Sequence, residues 1–144
     1  MRPPPMPGDI EKLKAAWIAA LRAADIDCLM DMVTDDVVAA HPGGKTTHGK
    51  GELADDFRRL FRDFRMDQSS TSEETIESGE WAFDRAYVST KIIPLAGGEP
   101  SRVNSEVIVI LRRGADGLSA RRRRHRFRRR RSGLGGRFNP SQRR

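Results

Sequence analysis

The sequence predicts an α+β domain in which three helices come first and a sheet of long antiparallel strands follows. Three observations predict it. Apolar residues recur at helical spacing in successive segments between residues 9 and 64. After Met66 the period changes to two, in long segments rich in Thr, Val, Ile and aromatic residues. Gly and Pro clusters separate the segments at 42–44, 94–100 and 114–117.

Residues 9–24 carry Ile10, Leu13, Trp17, Ala20, Leu21 and Ala24 on one helical face, and Asp9 is placed to cap that helix. Asp25 is placed to cap a second helix, with Ile26, Leu29, Met30 and Val33 on one face and "TDD" at 34–36 as its end. "VVAAH" then reads as a short strand stopped by Pro42 and the Gly43–Gly44 turn. The third helix follows Gly49 and has the strongest period in the chain: Leu53, Phe57, Leu60, Phe61 and Phe64. Residues 67–78 suit an exposed strand, "SGEW" a tight turn, and 81–93 and 101–113 two long strands joined through "PLAGGEP". "GADG" closes the last of these with a further turn.

The summed charge of +7 hides a division. Of the 27 Lys and Arg, 12 are Arg within residues 121–144, a segment with no Lys and no acid. Residues 1–120 therefore keep 15 basic residues against all 20 acidic ones, a net of −5. An acidic domain is joined to a cationic tail, so any inference from the overall charge to nucleic acid concerns the tail alone. One cysteine, Cys28, excludes an internal disulfide and a cysteine-based zinc site. Its apolar neighbours suggest a buried structural thiol. The longest aliphatic run, Val107–Leu111, is too short to cross a bilayer, and the Pro-rich start has no apolar core of a signal peptide. The expectation is a cytoplasmic protein with residues 1–8 disordered.

Several phrases, "AAWIAALRAADIDCLMDMVTDDVV", "HGKGELADDFRRLF", "SGEWAFDRAYVSTKIIPLAGGEP" and "ILRRGADG", resemble the SnoaL-like branch of the nuclear transport factor 2-like superfamily. They look most like its small bacterial proteins of unassigned function. The resemblance covers residues 9–117. It implies a cone: a curved antiparallel sheet wrapped on three helices around an apolar pocket. It also implies a homodimer and a small-molecule ligand, with no cofactor and no membrane. The superfamily includes ketosteroid isomerases, polyketide cyclases, dehydratases and non-catalytic association domains, so the fold does not select an activity.

In the ketosteroid isomerase branch a base stands just before a Pro at the end of the first strand. Matching "AAHPGG" to that pattern puts His41 where those isomerases have an Asp, and Trp17 where they have a hydrogen-bonding Tyr. An imidazole can remove a proton beside a carbonyl near neutral pH. An indole N–H donates a hydrogen bond but is a weaker oxyanion partner than a phenol. His41 is therefore the candidate catalytic residue, and Trp17, Phe57, Phe61, Tyr87 and Glu106 are the candidate pocket residues. His41 and His48, with Asp35 or Asp36, make only a weak metal pattern, and no metal is expected. "GGKTT" lacks the first Gly of a phosphate loop, Ala39 standing in its place.

In this family the turn matched by "GADG" leads into a last strand of alternating apolar residues, which usually lies inside the sheet. Here Leu118, Ser119, Ala120 and the Arg run occupy its place, so that strand is expected to be missing or replaced. Its loss would leave two unpaired edges and an uncovered pocket wall. On this reading residues 118–144 are a disordered tail, and a shifted reading frame explains it. In GC-rich DNA a one-base slip interconverts Ala, Gly, Pro and Arg codons and yields Arg without Lys. If the tail is genuine, Arg121, Arg122, Arg123, Arg124, Arg126 and Arg128 bind phosphate backbones with little sequence choice, and Phe127 is available to stack on a base.

Overall fold

The computed structural model describes residues 8–41, 44–114 and 117–127. Helices α1 (Gly8–Ala23) and α2 (Ile26–Asp31) come first. Strand β1 (Val33–Ala40), the short β2 (Thr47–His48) and helix α3 (Gly49–Asp63) follow. Four long strands end the described chain: β3 (Phe64–Ser78), β4 (Trp81–Pro94), β5 (Ser101–Gly114) and β6 (Gly117–Phe127). They form one six-stranded sheet in the order β2-β1-β6-β5-β4-β3. All neighbours pair antiparallel except β1 and β6, which run parallel.

The expected helices form with small changes at their ends. Asp25 caps α2 as predicted, its carboxylate accepting a hydrogen bond from the Cys28 N–H at 3.0 Å. Asp9 lies inside the first turn of α1 instead of capping it, and its carboxylate takes the Arg113 guanidinium at 3.0 Å. The predicted helix end at 34–36 is strand, because β1 starts at Val33. Phe64 is extended and opens β3, while its N–H still caps α3 on the Leu60 carbonyl. Cys28 is exposed, not buried: α2 turns Leu29 inward and leaves the thiol on its outer side. Between α1 and α2 the chain reverses through Ala24 in the left-handed region (φ 53°). Its N–H bonds the Leu21 carbonyl, and the Asp25 N–H bonds that of Ala20, which satisfies two carbonyls at the helix end.

The three helices pack on one face of the sheet. The main core joins Leu21 of α1, Leu29 of α2, Val33, Val37 and Ala39 of β1, and Leu53, Phe57 and Phe61 of α3. Leu21 and Leu29 are almost fully buried, and each such side chain contributes about 1.5–3 kcal/mol. A smaller cluster of Ile10, Ala82 and Leu111 seats the start of α1 against β4 and β5. The side chain of Arg22 near the other end of α1 meets Asp67 of β3 at 2.7 Å, so α1 runs along the sheet from the Ala82 end toward Asp67.

The backbone of Gly117–Phe127 fills the place of the last strand and pairs with both β1 and β5. The expected pair of open edges is therefore corrected, as is the end of regular structure expected at residue 117. The physical reason is that ladder hydrogen bonds use main-chain groups that every residue except proline has, whatever its side chain. Arg121, Arg122, Arg123, Arg124 and Arg126 fall within β6. Arg128, the rest of the tail and residues 1–7 lie outside the described residues.

Candidate ligand-binding cavity

Between the helices and the inner face of the sheet lies a cavity of about 560 Å³. Trp17, Leu21, Phe57 and Leu60 supply its helical wall, and Ala86, Val88, Val107 and Val109 part of its sheet wall. Trp17 and Phe57 meet edge to face with ring centroids 6.0 Å apart, and Phe61 stacks behind Phe57 at 5.5 Å. Phe61 is therefore core that supports the wall and is not itself among the lining residues. His41, at the end of β1, lines the cavity and is exposed, which places it at the rim.

Tyr87 and Glu106 are not on the cavity. They pair across β4 and β5 and belong to the outer face of the sheet, Tyr87 being 42% exposed. Strand parity decides this. Ala82, Asp84, Ala86, Val88 and Thr90 are the buried series of β4, so the odd-numbered residues face outward. Glu106 follows because Ser105 and Val107 are the buried neighbours on β5.

The same parity brings in polar groups that the sequence reading missed. Asp84 is 1% exposed and lines the cavity. Thr75 Oγ1 donates to its Oδ1 at 2.9 Å, and Lys14 Nζ lies 3.6 Å from its Oδ2. Lys14 also lines the cavity and donates to Ser72 Oγ at 2.6 Å. Toward the other end of the same wall, Gln68 Nε2 donates to Thr90 Oγ1 at 3.1 Å, and Ser105 lies buried nearby on β5. The alternation "A-D-A-V-T" inside "WAFDRAYVST" was the available signal. It competes with the alternation of Trp81, Phe83, Arg85 and Tyr87, and periodicity alone does not choose between them.

A further polar group stands where α3 begins. Thr47 Oγ1 donates to Asp56, which also holds Arg59, and Asp56 lines the cavity. Lys45 pairs with Glu52, whose other oxygen accepts the His48 N–H at 2.9 Å. The Lys45 hydrogen bond, then the His48 N–H, hold the Glu52 carboxyl below its ordinary range, and Glu52 in turn raises Lys45. Among the described residues no group of three or more His, Cys, Asp or Glu is placed to hold a metal ion. No described helix is long and apolar enough to cross a membrane.

Comparison with known proteins agrees with this architecture. A conserved protein from Planctomyces limnophilus superposes with a TM-score of 0.75 at 27% identity, covering 80% of this chain and 90% of that one. A ketosteroid isomerase-like protein from Erwinia carotovora atroseptica gives 0.72 at 28% identity, covering 82% and 92%. A protein from Catenulispora acidiphila in complex with S-DNPA shares the fold, with a TM-score of 0.71 at 19% identity over 82% and 90% of the two chains. No functionally curated protein matches the sequence. The SnoaL-like domain pattern matches residues 15–122, which is most of the chain, and the protein belongs to the SnoaL-like family.

Proposed function

We propose that the protein binds a small apolar, carbonyl-bearing molecule in the cavity and catalyses isomerase- or cyclase-type proton transfer beside that carbonyl, with His41 as the base. The observation that carries the reading is the cavity itself: among the described residues its wall is mostly apolar, with His41 at its rim and Trp17 and Phe57 on its helical side. That a ketosteroid isomerase-like protein shares the fold supports the reaction class, and the small molecule held by the Catenulispora protein supports the use of the pocket. The test uses 2-acetylnaphthalene, a ketone with exchangeable protons beside its carbonyl. Proton NMR in D2O is expected to show faster loss of the methyl signal with the protein than in buffer, and His41→Ala is expected to return the rate to that of buffer. Bound ketone with no acceleration by the unaltered protein leaves the second reading, a non-catalytic ligand-binding module.

The Arg run has its own proposal. Residues after about 117 derive from a shifted reading frame, supported by the absence of Lys and acids from 121–144. Translating the other two frames of the gene from codon 117 tests it. A frame that encodes a Trp and alternating apolar residues before a stop supports the shift. If neither frame does, polyanion binding through the Arg run becomes the reading to pursue, with its steep salt dependence as the signature.

A further inference from the structure

Buried Asp84 and part-buried Lys14 are a pair of opposite charge on the wall of a largely apolar cavity, and their geometry is not that of a pair optimised for each other. The 3.6 Å between Lys14 Nζ and Asp84 Oδ2 exceeds a hydrogen bond, while the lysine spends its short contact, 2.6 Å, on Ser72. Glu11 lies farther off, at 3.7 Å from the same ammonium. Of the two carboxyl oxygens of Asp84, Oδ1 accepts from Thr75, and among the described residues Oδ2 has only the distant lysine. Burying a carboxylate beside a part-buried ammonium is costly, and replacing such a pair with apolar residues is often neutral or stabilising. Fold stability alone does not account for it.

The sheet is shaped around this carboxyl. β3 carries a bulge between Ser72 and Glu74, the extra residue being Glu73. Because of it Ser72 lies opposite Ala86 and Thr75 opposite Asp84. Without it Glu74 would lie opposite Asp84, like charge against like charge. The bulge thus sets a hydroxyl donor on one oxygen of Asp84 and a hydroxyl acceptor beside Lys14.

We propose that Asp84, oriented by Thr75 and balanced by Lys14, is a specificity-determining acceptor for a hydroxyl or phenol group on the ligand, at the end of the cavity remote from His41. The proposal rests on the reading of the cavity as a ligand pocket. The ligand class is a compact apolar molecule with a carbonyl at one end and a hydroxyl at the other. The topology suits one molecule reaching both ends. Ala39, two residues before His41, shares a cross-strand row with Asp84 through β6 and β5. Three strand spacings separate them, roughly 14 Å along the sheet. The two side chains close part of that gap, leaving the span of a two-ring molecule.

The test compares two probes, 6-hydroxy-2-acetylnaphthalene and 2-acetylnaphthalene, by calorimetric titration. The unaltered protein is expected to bind the hydroxylated ketone at least about tenfold more tightly, because an acceptor built for a hydroxyl is left unpaired by the analogue that lacks it. The double variant Asp84→Leu/Lys14→Met removes both charges together. It is expected to keep its affinity for 2-acetylnaphthalene and to lose the preference. Asp84→Asn, of nearly the same shape, is expected to reduce the preference several-fold and serves if the double variant does not fold. A merely structural pair would leave the ratio of the two affinities unchanged in every variant. Equal affinities in the unaltered protein, or a preference that survives both variants, overturns the proposal while the pocket reading stands. Failure of both probes to bind the unaltered protein overturns the two together.

Discussion

On the inner face of β4 stand Ala82, Asp84, Ala86, Val88 and Thr90, all buried; on the outer face of the same strand stand Phe83, Arg85 and Tyr87, all exposed. The large aromatic side chains are outside and the small ones inside. The inner face is covered by α1 and α3, whose own Trp17, Leu21, Phe57 and Leu60 supply the bulk. Small residues on the sheet then leave room for a cavity instead of a filled core. Among the described residues no helix covers the outer face, and Phe83, Tyr87 and Ile108, each 40–42% exposed, form an apolar patch across β4 and β5. The contrast teaches that small side chains on the covered face leave room for a cavity, while the large apolar ones collect on the face that the helices leave open.

The comparison can be pressed first by truncating one residue from each face. Leu111→Ala removes a buried contact with Ile10 and Ala82 and is expected to cost about 2–5 kcal/mol, whereas Ile108→Ala, on the exposed face, is expected to cost less than about 1 kcal/mol. Urea unfolding of the two variants checks the difference, and equal losses would break the distinction between the faces.

A smaller effect is expected from removing the Thr75 hydroxyl. Thr75→Val keeps the shape of the side chain opposite Asp84 and takes away its hydrogen bond to the carboxylate. The expected loss is about 1–3 kcal/mol in urea unfolding. In Thr75→Ser the hydroxyl is kept, and most of the stability is expected to be kept with it. Equal losses in the two variants would show that the hydroxyl does not hold the carboxyl.

The smallest effect on the stability of the single chain is expected from Tyr87→Glu. We propose that the outer face joins two copies of the protein through Phe83, Tyr87 and Ile108. Light scattering is expected to show a dimer for the unaltered protein and a shift toward monomer for the variant, with thermal stability at high dilution little changed. A dimer that tolerates the charge would place the interface elsewhere.

Much of this architecture is legible before folding is considered. The five apolar positions from Leu53 to Phe64 mark α3, because only a helix brings that spacing to one side. Asp25 marks the start of α2 through a contact confined to its own turn. The period-two segments mark β4 and β5, and the family-like phrases "AAHPGG", "AAWIAALRAADIDCLMDMVTDDVV" and "HGKGELADDFRRLF" carry His41, Trp17 and Phe57, three residues that line one cavity. Tyr87 and Glu106 were misplaced because a strand offers two alternating series, and which series is buried depends on where α1 and α3 land. Cys28 was misplaced for the same reason on a helix too short to show a clear apolar stripe.

The sequence by itself determined the elements that rest on local contacts: helix period, the Asp25 cap, the turns at Gly79 and Gly97, and the long β-branched strands. Tertiary structure alone decided the rest. It set the sheet order that places β6 between β1 and β5, and the parity that turns Asp84 inward and Tyr87 outward. It also set the bulge at Glu73 and the meeting of Lys14 with Asp84 across 70 residues of chain. The reason is physical. Local periodicity says that one face of an element is apolar or small, but main-chain pairing is indifferent to side chains, and only the packed neighbours decide which face, and which strand, the cavity receives.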